Sequence, residues 1–507
     1  MKRERMHALE VMGVKMKKKY FVLLCLLDMA AIGLIPLNVL LLNFDMAESV
    51  GAVSAFIVIA ASVLFLLKGN GGKITNAAAC ILALFSAAIS LLGSYCNPYW
   101  NGIMFRADAD YYSKAYDYWL DSDEAAEDLE YAMKYLKKLH PALYREVPED
   151  IYKQYESVKA GLETCGGIRV NELAKEIETI FSILGDGHTY VRGNYEDRRI
   201  MKYYRRWTKE GYEITAVNGI PIKKLLEQTG AYYSFEEPSW QLEWLSDDIV
   251  TVAGLDYLGF DIEEGIEYTL TSEEGAERAE TCYLEDFLAW NEYARFNDIM
   301  EDEAGGESSV DYEIDMERST AILFLDECTY NSEYINCLRE MFQEVKENNI
   351  ENVAVDLRHN GGGSSQTVTE FFRYLDIDSY KTVSMGWRLG FIYLKLGRGV
   401  AENEKYDDLL FDGNLYLLTS AGTFSSAMMF AEYVKDNDLG TIIGEAPGNH
   451  PNGYGEVVYF KLPNSELFMQ ISTKRFYRAD QECRDVLVSP DIECHSENAM
   501  EELYQLY

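Results

Sequence analysis

The chain has 507 residues, 48% apolar and 13% aromatic, enough for more than one packed domain and unlike the composition of a disordered polymer. Lysine and arginine number 46 against 84 aspartates and glutamates, a net charge of −38. So acidic a surface repels phosphate backbones and sets nucleic-acid binding aside. The charge is uneven: residues 1–100 hold nine basic and five acidic side chains, leaving a net −42 on residues 101–507.

After a basic tail over 1–19, three apolar runs follow at Tyr20–Phe44, Val50–Leu67 and Ile74–Tyr95. Each reaches or approaches the ~20 residues that a helix needs to cross a bilayer, and three in series read as anchors rather than a cleaved signal. Asp28, Pro36 and Asn38 interrupt the first run, and Asp28 reads as a helix–helix contact. Lys15, Lys17, Lys18 and Lys19 precede the first run, and Lys68 and Lys73 bracket the loop between the second and third. The positive-inside rule puts both segments in the cytoplasm, so three crossings carry everything after Tyr95 outside. The expectation is a multi-pass membrane protein with an extracytoplasmic body. Of nine cysteines, seven lie in that body without metal-ligand spacing, so they read as free thiols, with one or two disulfides open to an oxidising compartment.

Residues 96–200 read as a helical subdomain. Ala125–Leu139 and Glu172–Leu184 place apolar residues at three- and four-residue spacing, and His140-Pro141 stops the first helix. Residues 201–310 form a mixed insert whose one clear signal is Asn218-Gly219 between two short strands. From 311 to 507 the pattern is α/β: strands at Ala321–Leu325, Val353–Leu357, Leu415–Thr419 and Thr441–Gly444, with helices at Glu333–Lys346 and from about Ala427 to Lys435.

Three loops could carry chemistry. Asp186-Gly187-His188-Thr189 offers an imidazole, and Gly361-Gly362-Gly363 can turn backbone amides onto an anion. Thr423-Phe424-Ser425-Ser426-Ala427 offers a hydroxyl at a helix start. Singly, each reads as well or better as structure: a loop histidine, a turn, an N-cap. Together they supply a base, an oxyanion hole and a nucleophile, and the Ser426 amide and helix dipole favour a developing oxyanion.

In this order the motifs resemble those of the C-terminal processing peptidases and their tricorn-like relatives, the tail-specific protease family. The resembling text spans roughly residues 125–500. It also includes His140-Pro141, Val217-Asn218-Gly219, Asp356-Leu357-Arg358 with Asn360, Gly444-Glu445 and Ser489-Pro490-Asp491-Ile492. The resemblance implies a ClpP/crotonase-like α/β core, an insert that is a true PDZ domain or a degenerate PDZ-like or replaced version of one, and peptide or protein substrates, with no cofactor and no metal. The processing peptidases pair serine with lysine, but no lysine lies between Lys435 and Lys461, and His450 stands at the lysine position. The tricorn-like style therefore applies. It makes Ser425 the nucleophile, His188 the base and Glu482, ahead of Asp480 and Asp485, the orienting carboxylate; the Gly362 and Ser426 amides form the oxyanion hole. Arg358 and Asp356 are expected to fix their turn. Met428 stands where the family often has glutamate.

The resulting expectation is a membrane-anchored serine endopeptidase acting through an acyl-enzyme. Its rivals are a catalytically silent peptide-binding or sensor ectodomain and a transport or scaffold protein.

Overall fold

A computed structural model of the chain describes residues 111–506 apart from 273, 300–308, 390–391, 398 and 484, together with Ala77, Cys80, Ile81 and Leu84. The expected membrane runs otherwise lie outside the described residues, and no helix among those described is long and apolar enough to cross a membrane. The chain divides into two units, and the architecture below is that of the one formed by residues 108–388 and 393–507.

Helix Ser122–Leu139 starts at Asp121, whose carboxylate accepts from the Asp123 and Glu124 amides, and ends at His140-Pro141 as expected. On its inner face the fully buried Asp128 accepts from the Asn464 and Ser465 amides, both at 2.8 Å, which ties the helical subdomain to a turn of the C-terminal region. Helix Val170–Phe181 leads through a short 3-10 turn to the Asp-Gly-His loop. Strand Tyr190–Arg192 then pairs antiparallel with Phe468–Tyr477, Val191 opposite Met469. That strand also pairs with Tyr454–Lys461 and with Ser384–Leu389. His188 is thus delivered by a strand that belongs to a C-terminal sheet.

The core sheet runs, in spatial order, Val310–Asp315, Thr320–Leu325, Asn352–Asp356, Asn414–Thr419, Thr441–Gly444, Ile492–Glu493. The first pair is antiparallel and the rest are parallel. Buried on both faces, the strands read as continuous apolar runs. Leu323, Val353, Val355, Leu417 and Ile442 meet helices Ser332–Asn348, Gln366–Phe372 and Ser426–Asp436, while Ile322, Ala354, Leu418 and Ile443 meet Ala499 and Leu503. This α/β core matches the expected strands and helices.

The 201–310 insert holds a four-stranded antiparallel sheet, in the order Ile220–Pro221, Tyr212–Val217, Ile266–Ser272, Glu277–Cys282, with helices Ile222–Thr229, Pro238–Asp248 and Val252–Leu258. Asn218 and Gly219 both take positive φ, 47° and 72°, the geometry of the tight hairpin expected there. The seven described cysteines are all free thiols.

Candidate active site

Two parallel strands set the site. Asn352–Asp356 runs into Arg358–Gly363, and its neighbour Asn414–Thr419 runs into the turn carrying Ser425, so both loops emerge at the carboxyl edge where α/β proteins place ligands. As expected, the Asp356 carboxylate fixes the first loop: it accepts from the Arg358 amide at 3.1 Å and from the guanidinium at 2.9 and 2.7 Å, and Arg358 also donates to the Ser496 carbonyl. Asn360 ties the loop to the next strand by donating to the Leu325 carbonyl at 2.8 Å.

Ser425 sits immediately before helix Ser426–Asp436 with φ 55° and ψ −119°, a backbone that a non-glycine residue rarely adopts. Its amide is held by Asn449 Oδ1 at 2.8 Å, and the preceding Phe424 amide by the Asn360 carbonyl at 3.0 Å. Ser426 opens the helix, so its amide is among those without an intrahelical acceptor, while its hydroxyl donates to the Gly363 carbonyl at 2.8 Å. Gly362, at φ 105°, packs directly beneath the serine. A Cβ there would lie 2.6 Å from Ser425 Cβ and 3.0 Å from the Ser426 nitrogen. Its own amide, however, donates to Asn360 Oδ1 at 2.8 Å. In this structure Gly362 therefore contributes the absence of a side chain, and the expected oxyanion donor there is already engaged.

His188 is 7% exposed and packs its ring on Phe424, 4.5 Å between centroids; Phe424 in turn stacks on Trp240 at 3.9 Å. A Cβ on Gly187 would meet both Phe424 and Trp240 near 3.0 Å, so glycine there lets the aromatic stack close on the histidine. Fully buried Asp186 organises the loop: Oδ1 accepts from the His188 amide at 2.9 Å, and Oδ2 from Thr189 Oγ1 at 2.6 Å and His140 Nε2 at 3.0 Å. Because His140 Nδ1 accepts from the Ala142 amide, its proton is assigned to Nε2. Burial alone would raise the Asp186 carboxyl, but the hydrogen bond from His140 and the charge of His140 and His188 overcome it and hold the group far below the usual carboxylate range. Asp186 Oδ1 is 3.7 Å from His188 Nδ1, an ion-pair rather than a hydrogen-bond separation. Neither His188 ring nitrogen has a hydrogen-bond partner among the described residues.

Glu236, from a segment with no motif, joins this cluster: one ligand atom each from Asp186, His188 and Glu236 lie within 4.8 Å of one another. Burial, then the Asp186 charge, pushes its carboxyl well above the ordinary value. Its Oε2 accepts from the His450 amide at 2.8 Å, and His450 Nε2 pairs with Glu237 at 2.6 Å. His450, at the dyad-lysine position, is engaged there.

Glu482 is not brought to His188. It is exposed, its amide donates to Asp480 Oδ1, and the Asp480 amide bonds Asp436 at the far end of the helix that Ser425 begins. Eleven helical residues put that end ~16 Å from the serine. Asp480 pairs with Lys381, and Asp485 gives its carbonyl to Arg478, which is buried against Asp436. The whole candidate segment is pinned by that Arg–Asp pair. The carboxylates beside the histidine are Asp186 and Glu236. Met428 points into the core at 5% exposure.

A serine on a strained strand-to-helix turn, next to a glycine-rich loop and a buried histidine, is the arrangement of a candidate serine-peptidase site. Residues 328–494 match the model described as Peptidase family S41, and the chain carries a peptidase domain of that family. Its fold is also that of solved structures at low identity. "Structure of mature CPAF complexed with lactacystin" is 12% identical with a TM-score of 0.54, covering 76% of this chain and 97% of that one. "Crystal Structure of mature CPAF" is 12% identical with a TM-score of 0.51, covering 76% and 95%. A photosystem II D1 C-terminal processing protease aligns at 14% identity, covering 74% and 94%, with a TM-score of 0.42. No curated protein matches.

Proposed function

We propose that the chain is a membrane-anchored endopeptidase that cleaves peptide or protein substrates through an acyl-enzyme on Ser425. The observation that carries this reading is the convergence on Ser425: a strained backbone fixed by Asn449, glycine beneath it, a helix N-terminus after it and His188 packed on the residue before it. His188 takes the Ser425 proton and returns it to the leaving amine, and the ionised Asp186 beside the ring stabilises the imidazolium. The Ser426 amide faces the tetrahedral oxygen, helped by the helix dipole; a second donor requires Gly362 to exchange Asn360 for the oxyanion. The small insert sheet stands where the family carries its PDZ module, and we read it as a degenerate or replaced version.

The anchor reading rests on the three apolar runs and their flanking lysines; Ile81 and Leu84, described within the third run, are helical and exposed. The body then faces the extracytoplasmic side. A fluorophosphonate probe should label wild type at Ser425, located by mass spectrometry, and leave Ser425→Ala unlabelled. An unreactive wild type would favour the silent sensor instead. For orientation, protease added to intact cells should cut near residues 301–309. Protection until lysis would mean an even number of crossings and a cytoplasmic body.

A further inference from the structure

The His188 surroundings hold more ligand capacity than a proton relay uses. The ring is more than nine-tenths buried, and among the described residues both of its nitrogens lack a hydrogen-bond partner. Glu236 Oε1 is likewise buried without a donor, although Oε2 of the same carboxylate is satisfied by the His450 amide. Asp186 Oδ1 has accepted only one amide hydrogen and retains a lone pair. Buried polar atoms left unpaired cost ~1–3 kcal/mol each, so unpaired atoms on His188 and Glu236 beside an Asp186 oxygen with a spare lone pair mark a place where something else binds.

We infer that Asp186, His188 and Glu236 form a site for one divalent cation of the zinc class, held through His188 Nδ1 and one oxygen of each carboxylate, and that filling it switches the peptidase off. The donor set, one imidazole and two carboxylates, is of the kind zinc accepts, with water in the fourth position. Tetrahedral bonds of ~2.1 Å put neighbouring ligand atoms ~3.4 Å apart. His188 Nδ1 and Asp186 Oδ1 stand at 3.7 Å, and one ligand atom from each of the three residues lies within 4.8 Å of the others, so closure asks for about an ångström of movement by the half-buried Glu236 side chain. Two carboxylate charges balance the ion. The switch follows from the tautomer: an imidazole that gives its Nδ1 lone pair to a metal keeps its proton on Nε2. It then has no lone pair with which to accept the Ser425 proton.

This inference rests on the serine-peptidase reading for its consequence but not for its binding, and the test separates them. Zinc is titrated calorimetrically into the full-length Ser425→Ala protein, where catalysis plays no part. One ion per chain should bind. Glu236→Gln in that background should weaken it by more than the ~10–100-fold typical of losing an outer-shell partner, whereas Glu237→Gln, which removes the neighbouring carboxylate, should change it less than threefold. In wild type, zinc should slow fluorophosphonate labelling at least ~10³-fold, as loss of the base would, and a chelator should restore it. Absence of stoichiometric binding, or equal affinity with and without Glu236→Gln, overturns the site. Stoichiometric, Glu236-dependent binding with labelling unaffected upholds the site and overturns the switch. The same binding by a chain that never labels upholds the site and removes the peptidase reading.

Discussion

The contact beneath Ser425 makes Gly362→Ala a quantitative test of the proposal that this serine is the one that reacts. The new Cβ would lie 2.6 Å from Ser425 Cβ, 2.9 Å from the Phe424 carbonyl oxygen and 3.0 Å from the Ser426 nitrogen. Carbon atoms pack at ~3.5–4.0 Å, so the serine turn must move away by about an ångström. It cannot yield cheaply, because the Asn360 carbonyl and Asn449 side chain hold the Phe424 and Ser425 amides. At φ 105° the alanine also carries backbone strain of ~1–3 kcal/mol. An ångström of misplacement costs ~10²-fold in a positioned reaction. Gly362→Ala should therefore label with a fluorophosphonate ~10²-fold more slowly than wild type and unfold several degrees lower. Gly361→Ala is the control: its Cβ would meet nothing within 4 Å and its φ is not positive, so both readouts should stay near wild type. If Gly362→Ala labels within threefold of wild type, or if the two variants fall together, Gly362 is not the floor of the site.

The two serines should separate: Ser425→Ala abolishes peptide turnover without lowering the melting temperature by more than a few degrees. Ser426→Ala loses only its bond to the Gly363 carbonyl and keeps activity within ~10-fold; swapped phenotypes would shift the register by one. His188→Ala should cost roughly 10³–10⁶-fold in turnover, measured on a peptide library, while His450→Ala retains most activity. If His450→Ala is the severe variant, the base is misassigned. Fully buried Glu432, whose Oε1 accepts from the Ala479 amide at 2.7 Å, is raised by burial to about 8. A carboxyl that stays protonated in the fold while the unfolded chain ionises makes stability fall as pH rises from ~4.5 to ~8, by on the order of 3 kcal/mol at pH 7. Glu432→Gln should remove that slope in denaturant titrations at pH 5 and 8; an unchanged slope would mean that the group ionises freely.

The parts of the site that local chemistry controls were legible in the chain. Apolar runs closed by glycine-rich text gave the parallel strands, and Ser425-Ser426-Ala427 fell on the helix start because a largely apolar, helix-forming run follows it. What local pattern does not encode is which distant group fills a vacancy. Glu236 and Asn449 reach the site across the fold, and neither sits in a periodic or motif-like stretch. Glu482 lay at the right spacing before Ser489-Pro490-Asp491, yet spacing is no guide once Arg478 and Asp436 form a buried pair that holds its segment at the other end of the helix. Gly362 illustrates a finer limit. Glycines announced a tight turn, but the Asn360 side chain, two residues back, claims the amide that the turn exposes.

The position of His188 relative to Ser425 is a property of the helical subdomain as much as of the peptidase core. His140 ends the first helix and donates to Asp186, whose other oxygen carries the His188 amide. Thr189 Oγ1 donates to Asp186 and accepts from the Ser472 amide on the central strand of the antiparallel sheet, while Gln470 of the same strand donates to the His188 carbonyl at 2.9 Å. Every group in this chain is buried, so each lost bond strands a partner, and stripping a buried charge of its partner costs ~3–5 kcal/mol. Asp186 therefore cannot let go of either side cheaply. His188 and Ser425 stand 237 positions apart; this network fixes the His188 loop to the antiparallel sheet, the ring's contact with Phe424 sets it beside the serine turn, and the helical subdomain is accordingly a wall of the candidate site.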